Sequence, residues 1–136
     1  MHIRDLFTLK KKQMTNPFRD QEKFMNACDQ CVTGDDAQYE MYRNLITEEY
    51  KELQEAVAAG DRTEQLDALI DILVVTIGAI HSAGFDGEGA WKEVMKTNFA
   101  KIDKKTGKVR KREDGKVLKP VGWTPPDLEQ FLTKTK

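Results

Sequence analysis

Glu48, Glu49, Glu52, Asp67 and Asp71 are spaced so that two consecutive helical segments each turn acids toward their apolar side. On a wheel at about 100° per residue with Ile46 at the origin, Tyr42, Leu45, Leu53, Ala56 and Val57 fill one apolar sector, and Glu49 falls within it. Glu52 lies at the edge of that sector and Glu48 well outside it. In the following segment Asp71 interrupts the run Leu69-Ile70-Asp71-Ile72-Leu73-Val74-Val75, and Asp67, Asp71, Val74 and Gly78 share one face. A buried carboxylate without a counter-charge costs several kcal/mol or takes up a proton, so inward-facing acids in a group call for a cation. A solvated face with Glu–Lys pairs is the ordinary explanation of a run such as Glu48-Glu49-Tyr50-Lys51-Glu52. It fits Glu48, but Glu49 and Asp71 lie where a solvated face would not put them.

Oxygen ligands alone, with no neighbouring His or thiolate, suit hard cations, so Mg²⁺ or Mn²⁺ is expected rather than Zn²⁺ or Fe²⁺. Di-iron carboxylate bundles need Glu-x-x-His pairs, and this chain has none. Glu48 and Glu52 at i, i+4, with Glu49 and Glu52 at i, i+3, can converge on one or two ions, while Asp67 and Asp71 converge from the antiparallel partner helix. Mg²⁺ keeps waters and shares its sphere with substrate phosphates. A phosphate substrate also wants cations on its far side, and Lys96, Asn98, Lys101, Lys116 and Lys119 supply candidates, each of which a solvated surface would equally explain. Asn98 and Lys101, one turn apart, can grip one group together.

The bulk composition narrows the class. A chain of 136 residues with 39% apolar and 33% charged residues supports one domain with a real core. The net charge of −1 argues against generalised affinity for nucleic acid or membrane. No apolar stretch reads as long enough to span a bilayer, and Met1-His2-Ile3-Arg4-Asp5 lacks the plan of a signal peptide. A cytoplasmic protein is expected. Cys28 and Cys31 form a lone C-x-x-C with no second Cys pair, which reads as two reduced thiols on a short helix rather than a redox or zinc site. His81 reads as a helix-end histidine near the Gly84 stop.

Periodicity predicts an all-α fold, a bundle of four to five helices in an oligomer with a small C-terminal β-hairpin, all within one domain spanning 1–136. Residues 1–16 read as a loosely ordered arm. After Asn16-Pro17 a first helix ends near Thr33-Gly34. A second runs from about Asp36 to Ala59, a third from about Thr63 to Ala83, and a fourth from about Gly87 to Ala100. The third is apolar on nearly all sides between Leu66 and Ile80, which implies more than one neighbour and hints at an oligomer. Residues 101–136 form a basic segment. Within it, Lys108-Val109-Arg110 and Lys116-Val117-Leu118 flank Asp114-Gly115 as a hairpin, and Trp123-Thr124-Pro125-Pro126-Asp127 precedes a last helical turn through Phe131.

Glu48-Glu49-x-x-Glu52 followed by acids on the next helix resembles the all-α nucleoside triphosphate pyrophosphohydrolases of the MazG and phosphoribosyl-ATP pyrophosphatase superfamily. The likeness runs from about Leu45 to Leu128. It takes in Asp67-Ala68-Leu69-Ile70-Asp71, Gly84-Phe85-Asp86, Val94 to Asn98 with Lys101, and Gly115-Lys116-Val117-Leu118-Lys119-Pro120 before Trp123, and it is most like the short phage branch, including the one called MazZ. The family's second element is usually E-x-x-D. Here Ala68 stands three residues before Asp71, so the acid role passes to Asp67, with Glu64-x-x-Asp67 as the alternative register. The resemblance implies a homodimer or homotetramer holding Mg²⁺ or Mn²⁺ that cleaves a nucleoside triphosphate to the monophosphate and pyrophosphate, with a lean toward guanine nucleotides. It implies metal ligands Glu49, Glu52, Asp67 and Asp71, with Glu48 orienting or deprotonating the water and also available as a ligand. Asn98, Lys101, Lys116 and Lys119 then offset charge on phosphate oxygens. Base recognition falls to residues such as Phe24, Gln30 or Trp91. Two other classes stay open: a helical adaptor that binds no metal, and a nucleic-acid-binding protein using the basic 101–119 segment.

Overall fold

Local sequence accounts for most helix ends. A computed structural model describes residues 16–134, and the expected N-terminal arm lies outside them apart from Asn16. Four α-helices form: α1 (Pro17–Ala27), α2 (Asp36–Ala58), α3 (Arg62–Ser82) and α4 (Gly87–Phe99), with a 3₁₀ turn at Glu129–Phe131. Each α-helix begins at an Asn or Asp whose side chain accepts a backbone N–H of the first turn: Asn16 from Arg19, Asp35 from Gln38, Asp61 from Glu64 and Asp86 from Gly89. Each such cap is worth about 1 kcal/mol. The second, third and fourth helices match their expected spans closely.

The first helix stops earlier than its apolar pattern predicts. Asp29 adopts φ 58°, Asp29 N–H donates to the Asn26 carbonyl at 3.1 Å, and Gln30 N–H donates to the Met25 carbonyl at 2.9 Å. These bonds close a Schellman motif whose left-handed position is filled by Asp, not the usual Gly. No glycine marked the stop, so the sequence pattern ran past it.

The described residues divide into two compact units, the first ending at Gly84 and the second beginning at Phe85. In the first, α2 and α3 form an antiparallel hairpin, and α1 packs on α3. The core is Met25, Tyr42 and Ala79, with Val32, Tyr39, Leu45, Ile46 and Val75 packed around it. The loop after α1 is tied in by Gln38, which accepts the Cys31 N–H at 3.0 Å and donates to the Cys31 carbonyl at 2.6 Å and to Ser82 Oγ at 2.8 Å. The Tyr42 ring occupies the space a side chain at Gly78 would need. His81 is buried in the last turn of α3, where its Nε2 pairs with the Phe18 carbonyl at 2.7 Å.

The α3 helix is covered only in part. Its C-terminal half, with Ile77, Gly78 and Ala79, is buried, whereas Leu66 and Leu73 remain 63% and 57% exposed, with Leu69 and Ile70 beside them also exposed. The all-round burial predicted for this helix is therefore not reached among the described residues. Contrary to the sequence expectation, α3 is also long and apolar enough to cross a bilayer by length and composition, at 21 residues and a mean hydropathy of 1.4. It packs on α1 and α2 within the first unit.

In the second unit α4 packs with the 3₁₀ turn: Phe131 rests on Gly89, and Asp86 N–H donates to the Phe131 carbonyl at 2.9 Å. The expected β-hairpin does not form, and no sheet is present among the described residues. Two isolated antiparallel bridges, Ile102 with Val109 and Lys111 with Val117, make two successive reversals instead. One apolar residue in Lys108-Val109-Arg110 and two in Lys116-Val117-Leu118, set among like charges, give extended pairing too little to bury.

Gly78→Ala should force a methyl group into the Tyr42 ring and spread the α2–α3 seam, costing about 1–3 kcal/mol. Urea melts that show Gly78→Ala as stable as wild type would mean the seam has room to spare.

Candidate active site

The α2–α3 seam places the acids. From the close approach of Tyr42 to Gly78, one heptad toward the C-terminus of α2 brings Glu49, and one heptad toward the N-terminus of α3 brings Asp71. The two acids come level across the antiparallel pair. Farther along, Gln65 donates to the Ala56 carbonyl at 3.4 Å and holds the other end of the hairpin.

Four carboxylates meet here. Glu49 is partly buried, and its Oε2 is shut off from solvent with no hydrogen-bond partner. Burial is the largest cause that pushes its pKa up to about 6, followed by the touching carboxylate of Glu52 and the charges of Asp71 and Asp67. Asp71 is raised as well, by burial first and then by Asp67, which touches it, and by Glu52. Among the described residues no Lys, Arg or His forms an ion pair with any of the four. Carboxylates so close stay together only with protons or a cation between them.

Glu48 is exposed on α2 and is not among the groups that perturb Glu49 or Asp71. Glu64 is exposed in the first turn of α3 and is likewise absent from that set. Asp67 and Asp71 thus come together with Glu49 and Glu52, while Glu48 and Glu64 stand apart. Among the described residues the side chains do not already stand in coordination geometry for a metal ion. The donor set still fits a hard divalent cation: all oxygen, four acids, and one buried oxygen without a donor.

The second unit gathers another group. Lys101 Nζ donates to Asn98 Oδ1 at 3.1 Å and lies 5.0 Å from the centre of the Trp123 ring, while Lys119 Nζ lies 4.9 Å from it. Trp123 Nε1 donates to the Thr97 carbonyl at 2.7 Å, which fixes the indole. Three of the four expected phosphate contacts therefore cluster. Lys116 does not join them; it sits in the reversal where its N–H donates to Asp114 Oδ1 at 3.1 Å. Sequence reasoning missed Trp123 as the organiser, although an aromatic three residues after Lys119-Pro120 was a visible cue.

Of the aromatic and polar residues expected near a base, Phe24 and Trp91 are exposed, and Gln30 accepts a hydrogen bond from the Tyr42 hydroxyl at 2.5 Å. Cys28 and Cys31 are free thiols. Cys28 caps α1, and the hydroxyl and N–H of Thr33 lower the pKa of Cys31.

The comparison with known families points to the MazG-like all-α NTP pyrophosphohydrolase superfamily. Residues 26–98 match the family model of phosphoribosyl-ATP pyrophosphohydrolase, a span that includes all five acids and Asn98 and ends before Lys101, Lys116 and Lys119. The match covers more than half of the chain, and the protein belongs to this family. It is a pyrophosphohydrolase, a hydrolase of phosphoanhydride bonds in a nucleotide-like substrate. No curated protein sequence matches it.

Glu49 in the folded protein holds its proton up to about pH 6, against an ordinary value of 4.5. A raised pKa contributes stability that is complete below about 4.5 and lost as pH rises through about 6. Asp71 acts in the same direction. Metal-free protein should therefore melt at progressively lower temperature as pH rises across that window, and Glu49→Gln should flatten the slope. A slope in Glu49→Gln as steep as in wild type would remove Glu49 as its source.

Proposed function

We propose that the protein is a metal-dependent nucleoside triphosphate pyrophosphohydrolase that converts a (d)NTP and water to the (d)NMP and pyrophosphate, with a lean toward (d)GTP. The observation that carries this reading is the buried, donorless Oε2 of Glu49 among Glu52, Asp67 and Asp71. Glu49, Glu52, Asp67 and Asp71 would hold Mg²⁺ or Mn²⁺. Such an ion supplies charge neutralisation on the triphosphate and a lowered pKa for the attacking water.

The chain's own residues do the remaining work. Glu48, exposed and outside the cluster, is free to orient the water toward the α-phosphorus and accept its proton. Asn98, Lys101, Lys116 and Lys119 offset charge on the phosphate oxygens. Phe24, Gln30 and Trp91 are the candidates for reading the base. A second copy of the chain covering Leu66, Leu69, Ile70 and Leu73 of α3 accounts for an apolar face that is exposed among the described residues, so a homodimer or homotetramer is the proposed working form.

Incubation with each NTP and dNTP, and with phosphoribosyl-ATP, in Mg²⁺ or Mn²⁺ tests the reading by product: pyrophosphate supports it, and orthophosphate or no turnover sinks it. Glu49→Gln, Glu52→Gln and Asp71→Asn should each lose at least about a hundredfold in kcat with helicity intact, because the acids act as a unit. Asp67→Asn should resemble Asp71→Asn, while Glu64→Gln stays mild. A severe Glu64→Gln beside a mild Asp71→Asn would move the second-helix pair to Glu64 and Asp67.

A further inference from the structure

The acid cluster stands between two ties across the α2–α3 seam. Tyr42, Glu49 and Ala56 follow one another at intervals of seven along α2, with the Tyr42 ring against Gly78 at one end and the Ala56 carbonyl bonded to Gln65 at the other. Seven helical residues span about 10 Å, so the ring acts on the acids through the helices and not by touching them. The group that holds the ring comes from outside the hairpin. The ring edge that meets Gly78 ends at Cζ, which bears the hydroxyl, and the hydroxyl donates to Gln30 Oε1 at 2.5 Å. Burial raises the Tyr42 pKa above its ordinary value of 10, so the proton stays on the hydroxyl and the bond keeps this sense. Gln21, buried on α1, adds a side-chain hydrogen bond to the same group.

Gln30 is held more firmly than a loop residue needs for its own sake. Its N–H donates to the Met25 carbonyl, and Gln38 grips the next residue on both sides, accepting the Cys31 N–H and donating to the Cys31 carbonyl. Gln38 also donates to Ser82 Oγ, one turn beyond Gly78 on α3. The acceptor for the Tyr42 hydroxyl is thus fixed relative to α1, α2 and α3 together. Metal–oxygen distances tolerate only about 0.2 Å, so a small change in the depth of the ring is felt at the acids. We propose that Gln30, acting through the Tyr42 hydroxyl, is a positioning residue for the acid cluster: it sets the separation at which Glu49 and Glu52 face Asp67 and Asp71, and so how tightly they hold a divalent cation. This gives Gln30 a task other than reading the base. The effect on cation affinity rests on the proposed metal-holding role of the acids, whereas the effect on their spacing does not.

Two measurements on the full chain, both without nucleotide, test the tether. Titration with Mn²⁺, followed by the electron paramagnetic resonance of the free ion, should show saturable binding that is weakened at least about threefold in Tyr42→Phe and in Gln30→Met. Gln30→Glu, which returns an acceptor oxygen, should recover most of the loss. The double variant Tyr42→Phe with Gln30→Met should bind no more weakly than either single one, because both remove the same bond. Met25→Val, which loosens the same core and leaves that bond in place, should bind Mn²⁺ as wild type does. In metal-free protein the backbone amide resonances of Glu49, Glu52, Asp67 and Asp71 should move in Tyr42→Phe and in Gln30→Met and return in Gln30→Glu. Wild-type affinity in either single variant, additive losses in the double one, no recovery in Gln30→Glu or an equal loss in Met25→Val overturns the proposal. Should wild type bind no Mn²⁺, the metal-holding reading fails by itself and the resonances decide: acid signals moved by both variants sustain the tether, and changes confined to the turns around residues 30 and 42 sink it.

Discussion

The close contact of Tyr42 with Gly78 sets the level of one helix against the other in the α2–α3 hairpin, and everything at the acid cluster follows from that level. Only a residue without Cβ admits the ring, and the ring in turn prevents the helices from sliding. With that contact fixed, Glu49 and Asp71 face each other across the seam, and Glu52 and Asp67 complete the group from the neighbouring turns. A slip of one residue along either helix would rotate its acid about 100° away from the seam.

The hairpin bears a charge arrangement that a purely structural seam would not keep. Ordinary packing would place apolar groups at these positions, and the same helices do so at Ala56, Ala68 and Ile77. Stability given up at Glu49 and Asp71 is the usual signature of a site selected for what it binds. The rest of the first unit offsets that loss by local means: side-chain caps at each helix start, the Gln38 clamp on the loop after α1, and the buried pairing of His81 with the Phe18 carbonyl.

Much of this was legible in the sequence where a single period governs. The spans of α2, α3 and α4, the inward aim of Glu49 and Asp71 and the outward position of Glu48 all follow from helical geometry alone. What failed depended on chemistry that periodicity does not register. Asp29 in a left-handed conformation ended α1 without a glycine to announce it. The predicted hairpin rested on turn residues, but its arms had too little apolar surface to extend pairing beyond the single bridge of Lys111 with Val117. The Trp123 group joins Thr97 and Lys101 to Lys119 across a stretch without regular structure, so no repeat could have revealed it.

All four clustered acids come from one pair of adjacent helices joined by the short turn at Gly60. Contacts so near in sequence close quickly and at low entropic cost. Closing this hairpin therefore brings the carboxylates together, and their repulsion opposes the closure itself. Dissolved ions screen such repulsion, so the ease with which this hairpin closes is tied to the ionic strength of the solution in which the chain is made.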